Sequence, residues 1–317
     1  MRRESLLTDI KFKKGFSDGI PIGLGYFSVS FGFGILAMSS HISAFFAWLV
    51  INYVVQFLFS FFVSIGVAVS NPGLAPSKLE SMAYDFIYRN ISLMYLIISV
   101  VFIGIFLLVQ KLSRFSRHIG LEYKKPATPV VVTSLLIGTF VGVIANIGIE
   151  LMSSWLPESW VEGNQESVSA FDGGNEIIML IAVVVCAPIV EELLFRGFIY
   201  NALKKTFNII PKVSTNKSQV ISMLVAAVLT SALFGIYHGN ILQALYTGVL
   251  SLFMVWVYEM SGSIFTSILV HCAFNFAGMP TYLLQNSLGA IPSLIVCGIL
   301  ALITVVTTYR ICRIKAA

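Results

Sequence analysis

Charge is scarce in this 317-residue chain: Asp, Glu, Lys and Arg together make up 11% of it, against 57% hydrophobic residues. Soluble domains carry roughly a quarter charged residues, so a water-soluble globular protein is excluded. Cysteine is also sparse. Its four copies, Cys186, Cys272, Cys297 and Cys312, lie in or beside apolar segments without a Cys-x-x-Cys spacing, which argues against a disulfide framework and against a thiolate metal site. There is no His-Glu-x-x-His, no internal repeat and no low-complexity tract. The net charge of +5 does not point to nucleic acid, because the Lys and Arg residues gather in loops and termini in the manner of the positive-inside rule.

Long apolar runs are what the sequence does have. Segments of about 20 such residues, enough to cross a ~30 Å hydrocarbon core as helices, fall near 19–38, 44–69, 91–110, 130–154, 176–203, 219–238, 241–260, 263–279 and 290–309. The expected fold is all-α, a polytopic membrane bundle of about eight transmembrane helices plus one uncertain N-terminal hydrophobic segment. Residues 1–43 form a basic stretch with that uncertain segment, and 44–317 form the bundle, whose motif-bearing core is 176–280.

Loop charges set the orientation. Residues 111–125 hold Lys111, Arg114, Arg117, Lys124 and Lys125, whereas 155–176 hold Glu158, Glu162, Glu166, Asp172 and Glu176 and no base. The first is read as cytoplasmic and the second as external. The segment beginning at Glu176 then runs inward to Lys204, Lys205, Lys212 and Lys217, and the chain ends inside with Arg310, Arg313 and Lys315. Arg2, Arg3, Lys11, Lys13 and Lys14 ask for a cytoplasmic start, which the count allows only if one segment fails to cross; 19–38, glycine-rich and carrying Pro21, is chosen. A cleaved signal peptide is not expected, since the apolar part begins late and is too long.

Within this apolar background Glu191, Glu192 and Arg196 stand at membrane depth. Each ionisable group there costs at least about 2.5–3.5 kcal/mol to insert, and such residues face a polar cavity, pair, and mark function. Glu192 and Arg196 are four apart and share a helix face; Glu191 points about 100° away and is left available. Phe234-Gly-Ile-Tyr-His238 closes the next span, and His271-Cys-Ala-Phe-Asn275 places an imidazole and a carboxamide on one face of another. His41 and His118 fall in polar loops and are read as solvated. A carboxylate and a histidine around one water can deprotonate it for attack on a carbonyl, while a second histidine and an amide stabilise the oxyanion. Glu191, His238 and His271 could instead hold a divalent metal such as zinc, with a bound water as nucleophile; these residue types leave both open.

Glu191-Glu192-Leu-Leu-Phe-Arg196, Phe234-x-x-x-His238 and His271-x-x-x-Asn275, in this order, resemble the three motifs of the CPBP intramembrane endopeptidases, also called the CAAX protease and bacteriocin-processing or Abi family. The resemblance covers about 176–280 and is similar in its flanking text to bacterial members. It implies a multi-pass protein of a bacterial cell membrane that hydrolyses a peptide bond of a membrane-associated peptide or protein. Glu191 would activate water, His238 serve as second acid/base or water ligand, and His271 with Asn275 stabilise the oxyanion, with Glu192 and Arg196 supporting. Family members have been described both as metalloproteases and as glutamate-dependent proteases, so a metal stays open. Some members serve in bacteriocin immunity, which gives the alternative of a non-proteolytic immunity or regulatory protein of the same fold. Separately, Gly15 to Phe27 with Phe31-Gly-Phe-Gly34 resemble the opening of AzlC-type permeases over about 11–40. The buried charges suggest a transporter as well, but no paired inverted repeat is visible.

Overall fold

A computed structural model describes residues 43–112, 125–169, 173–204 and 216–314. The basic N-terminal stretch, the 19–38 segment, the permease-like 11–40, His41 and His118 lie outside the described residues. All regular structure among the described residues is helical, with no strands, as a bilayer demands of a chain that must satisfy its own backbone. The elements are α1 (Ser43–Ser70), α2 (Pro76–Arg89), α3 (Ile91–Leu112), α4 (Thr128–Met152), α5 (Glu158–Ser169), α6 (Glu176–Lys204), α7 (Asn216–Tyr237), α8 (Ile241–Ser261), α9 (Ile264–Asn275), α10 (Gly278–Leu288) and α11 (Ala290–Ile314).

Five of these are long and apolar enough to cross a membrane, and up to seven crossings result if the bent pairs α2–α3 and α9–α10 each count as one. The 28-residue α1 has spanning length as well. The protein is an integral membrane helical bundle. Large exposed apolar side chains such as Ile177, Val228 and Leu302 would be a liability in water; here they face the hydrocarbon that the sequence anticipates.

Three features differ from a reading by hydropathy alone. The short 263–279 segment is not a straight crossing: α9 and α10 meet at 51°, because Pro280 lacks the N–H that would continue the ladder to Phe276 and its ring crowds that carbonyl. Residues 155–176 are not only loop, since α5 forms there with Glu158 in its first turn, favourable at the positive end of the helix dipole. Lastly, the polar stretch after α1 forms α2, started by Pro76 in the first turn, where its missing N–H costs nothing.

The 29-residue α6 is the centre of the molecule. Its entry is pinned: Asn175 caps it by accepting from the Ile178 N–H at 3.1 Å, and the Asn175 N–H donates to Ser92 Oγ on α3 at 2.9 Å. Gly174 makes this approach possible, with φ +81° and no Cβ to strike Ser92. From Leu193 to Tyr200 every residue is buried, packed by Ile137 of α4, Phe234 of α7, Leu250 and Met254 of α8, and Val270 of α9. Gly138 and Gly142 of α4 form a Gly-x-x-x-Gly step that lets α9 lie against the backbone; a Cβ at Gly138 would run into the Val270 carbonyl and one at Gly142 into the Ala277 side chain.

Candidate active site

The motif helix α6 is not uniformly α. Ala182–Cys186 and Leu193–Tyr200 are wound as π-helix on either side of the short α-helical stretch Ala187–Glu192. Such widened turns misalign backbone groups and are frequent at functional sites. The first has a sequence cause. The Ala187 N–H donates to the Ala182 carbonyl, five residues back; in that register the Val183 carbonyl would take the N–H of residue 188, and Pro188 has none. Asn275 of α9 fills the vacancy, its Nδ2 donating to the Val183 oxygen at 2.9 Å. In the second stretch Asn201 Nδ2 serves the same purpose for the carbonyls of Arg196 and Gly197, at 3.0 and 3.2 Å.

Glu192 and Arg196 are both fully buried and joined at 2.9 Å. Arg196 continues to α8, where its second terminal nitrogen donates to Ser251 Oγ at 2.6 Å and to the Ser251 carbonyl at 3.1 Å. Its Cζ stands 4.8 Å from the centre of the Phe234 ring, a cation–π contact. Breaking such a pair by removing one partner costs about 3–5 kcal/mol, since the other charge is left buried alone.

Glu192 Oε1 also accepts from His271 Nδ1, at 3.0 Å. A carboxylate can only accept, so Nδ1 carries a hydrogen and Nε2 is directed elsewhere. Nε2 faces Glu191, whose Oε2 lies 3.8 Å away and whose side chain is 16% exposed. That separation is too long for a direct hydrogen bond, and a water set to one side of the line joining the two atoms could reach both. His271 is thus held between the two glutamates, tightly to one and at a gap to the other.

His238 sits at the end of α7, its Nδ1 donating to the Phe234 carbonyl at 2.8 Å. The Phe234 ring is the shared wall of the site. Its centre lies 4.8 Å from the His238 ring, 5.7 Å from the His271 ring and 4.9 Å from the Phe195 ring, all edge-on. The structure therefore brings Glu191, Glu192, Arg196 and His271 into one connected set, sets His238 beside it across Phe234, and ties Asn275 to the α6 backbone. Sequence reasoning missed Ser251 and the Val183 carbonyl. A signal existed for the second in Pro188, since a proline inside an apolar helix always leaves a carbonyl to be satisfied; Ser251 carries none that distinguishes it from other small polar residues of a span.

Both imidazoles give up Nδ1 to an oxygen and keep Nε2, the arrangement that metal-bound histidines use. Yet among the described residues no group of three or more His, Cys, Asp or Glu side chains is placed to hold a metal ion. Glu191, His238 and His271 do not converge as ligands.

Comparison with known proteins adds one match. Residues 173–277, a third of the chain, fit the family described as type II CAAX prenyl endopeptidase Rce1-like; no curated protein and no solved structure matches the chain. The matched stretch begins at the capped entry of α6 and ends just past Asn275, so it spans all three motifs. That family supports peptide hydrolysis within a membrane, on a membrane-associated protein or peptide. Over residues 173–277 the chain is thus similar to the Rce1-like type II CAAX prenyl endopeptidase family, consistent with the CPBP resemblance of its motifs.

Proposed function

We propose that this protein is an intramembrane endopeptidase in which Glu191 and His271 hold and activate the hydrolytic water. The observation that carries the reading is the 3.8 Å gap between Glu191 Oε2 and His271 Nε2, with Nδ1 of the same ring locked to Glu192 at 3.0 Å. A water in that gap donates one hydrogen to each acceptor and turns its lone pair outward. As its oxygen bonds to the peptide carbonyl carbon, the proton passes to Glu191, and the carbonyl electrons collect on the oxygen. Glu191 then returns the proton to the amide nitrogen as the carbon–nitrogen bond breaks. The second amide hydrogen of Asn275, not used on Val183, is available to the oxyanion. With its Nδ1–H donated to Glu192, His271 serves to orient water. His238, its tautomer set by the Phe234 carbonyl, offers Nε2 as a second acid/base. Glu192, Arg196 and Ser251 keep the imidazole in place.

Comparison of membrane peptides between a deletion strain and one expressing Glu191→Ala tests this. Removal of a general base costs roughly 10²–10⁴-fold, so the same uncleaved precursors accumulate in both strains while the variant still inserts. Processing at the parent rate in Glu191→Ala would overturn the assignment. Retention of a cellular phenotype in Glu191→Gln, with cleavage lost, would favour the non-proteolytic regulatory reading. Cleavage by purified protein that persists after chelation supports activation by Glu191 and His271 alone.

A further inference from the structure

Glu191 and Glu192 stand one helical step apart, and both meet His271 in only one winding of the residues that follow them. A turn closed by i→i+5 bonds holds one residue more than an α turn, and one residue is about 100° of helix. Leu193–Tyr200 is wound in this way. Beyond it α6 is fixed to α8: Asn201 Nδ2 lies 3.0 Å from the Tyr258 hydroxyl, and Lys204 Nζ lies 2.7 Å from each oxygen of Glu259. With that end held, the same residues wound as plain α-helix would turn the preceding part of α6 by about one step. Leu193 would then stand where Glu192 now bonds His271, and Glu192 where Glu191 now faces Nε2.

One side chain decides between the two windings. In an α-helix the Arg196 carbonyl takes the N–H of Tyr200 and the Gly197 carbonyl that of Asn201. Here the Asn201 N–H goes to Phe198 instead, and the Arg196 and Gly197 carbonyls receive the Asn201 side-chain amide at 3.0 and 3.2 Å. Every residue from Leu193 to Tyr200 is buried, so water cannot replace that amide, and a buried carbonyl without a donor is costly. The Tyr258 hydroxyl in turn donates to Asn201 Oδ1, at 3.4 Å, which fixes which way the amide points. Without the amide the backbone recovers its bonds only by returning to α winding.

We infer that Asn201 is a positioning residue for hydrolysis: by holding the π turn it selects which residues of α6 face His271. This rests on Glu191 and His271 being the hydrolytic centre, but its first test reads the winding without hydrolysis. Protein carrying Leu193→Cys and His271→Cys is treated in membranes with a short bifunctional methanethiosulfonate, and peptide mapping separates the product from links to the four native cysteines. The crosslink is expected to rise at least about tenfold when Asn201→Ala is added, as Leu193 turns toward position 271. An equal yield with and without Asn201 would overturn the inference. The second test uses the peptides that accumulate in the Glu191→Ala strain. Asn201→Ala should slow their processing by about a hundredfold, the cost of a displaced catalytic group. Deleting Gly197 removes the extra residue of the turn, so this variant should process them within about tenfold of the parent and should no longer respond to Asn201→Ala. A deletion that stops processing as completely as Glu191→Ala, or that leaves Asn201→Ala as damaging as before, would overturn the inference. If Glu191 proves dispensable for cleavage, the crosslink still reports whether Asn201 sets the winding.

Discussion

Glu192 Oε1 accepts from Arg196 and from His271 at once, which makes this one atom the link between a buried ion pair and the ring that faces Glu191. The pairing with Arg196 was legible in the sequence, because four residues on a helix is a fixed distance. The bond to His271 was not: the partners are 79 residues apart, and only the packing of α9 on α6 decides it. Ser251, 55 residues from Arg196, extends the brace to α8. Ser251→Ala removes one hydrogen bond to a charged group, a loss of about 1.5–3 kcal/mol of stability. If Ser251 positions the site, kcat should fall by between about ten- and a hundredfold as the imidazole shifts, with KM unchanged, and Ser251→Thr should restore it. A drop in thermal stability with kcat intact would limit Ser251 to a structural role.

Among the elements, α6 shows why hydropathy locates spans but not their irregularities. The apolar run 176–203 announces a crossing, yet the π-helical turns at Ala182–Cys186 and Leu193–Tyr200 depend on Pro188 and on side chains from elsewhere. Likewise α2 and α5 are short and polar, so no membrane-length window detects them. The Pro188–Asn275 relation is testable as a cycle. Asn275→Ala strands the Val183 carbonyl and costs about 1–3 kcal/mol. In a Pro188→Ala background a new N–H can take that carbonyl, and the stability cost of Asn275→Ala should shrink, as read by thermal unfolding in detergent. Cleavage distinguishes the two duties of the amide. A rate loss that persists undiminished in the double variant assigns Asn275 to the oxyanion; a loss rescued together with stability assigns it to the helix.

For the whole molecule, the order of the three motifs was readable from the chain, whereas the contact that brings them together was missed, although Gly138-x-x-x-Gly142 in an apolar span signals a close helix contact without naming its partner. Gly138 sets α9 directly against α4, and Val270, which a Cβ there would strike, precedes His271. Gly138→Ala should cost about 1–3 kcal/mol by overpacking and reduce cleavage although no site residue changes. Gly148→Ala, on the same helix with open space around it, serves as the comparison, and equal stability and cleavage in the two variants would refute this account of the α4–α9 contact.

The length of α6 has a further consequence. At an α-helical 1.5 Å per residue its 29 residues would extend roughly 43 Å, an upper bound that the wider π turns shorten and that still exceeds a hydrocarbon core of about 30 Å. Such a helix tilts or emerges, and the depth at which Glu191 rides then follows the lipids that surround it. Cleavage by protein reconstituted into bilayers of increasing acyl length should pass through an optimum thickness; a rate indifferent to chain length would mean that the packed bundle alone fixes that depth. The lipid would then be, in effect, an adjustable part of the enzyme.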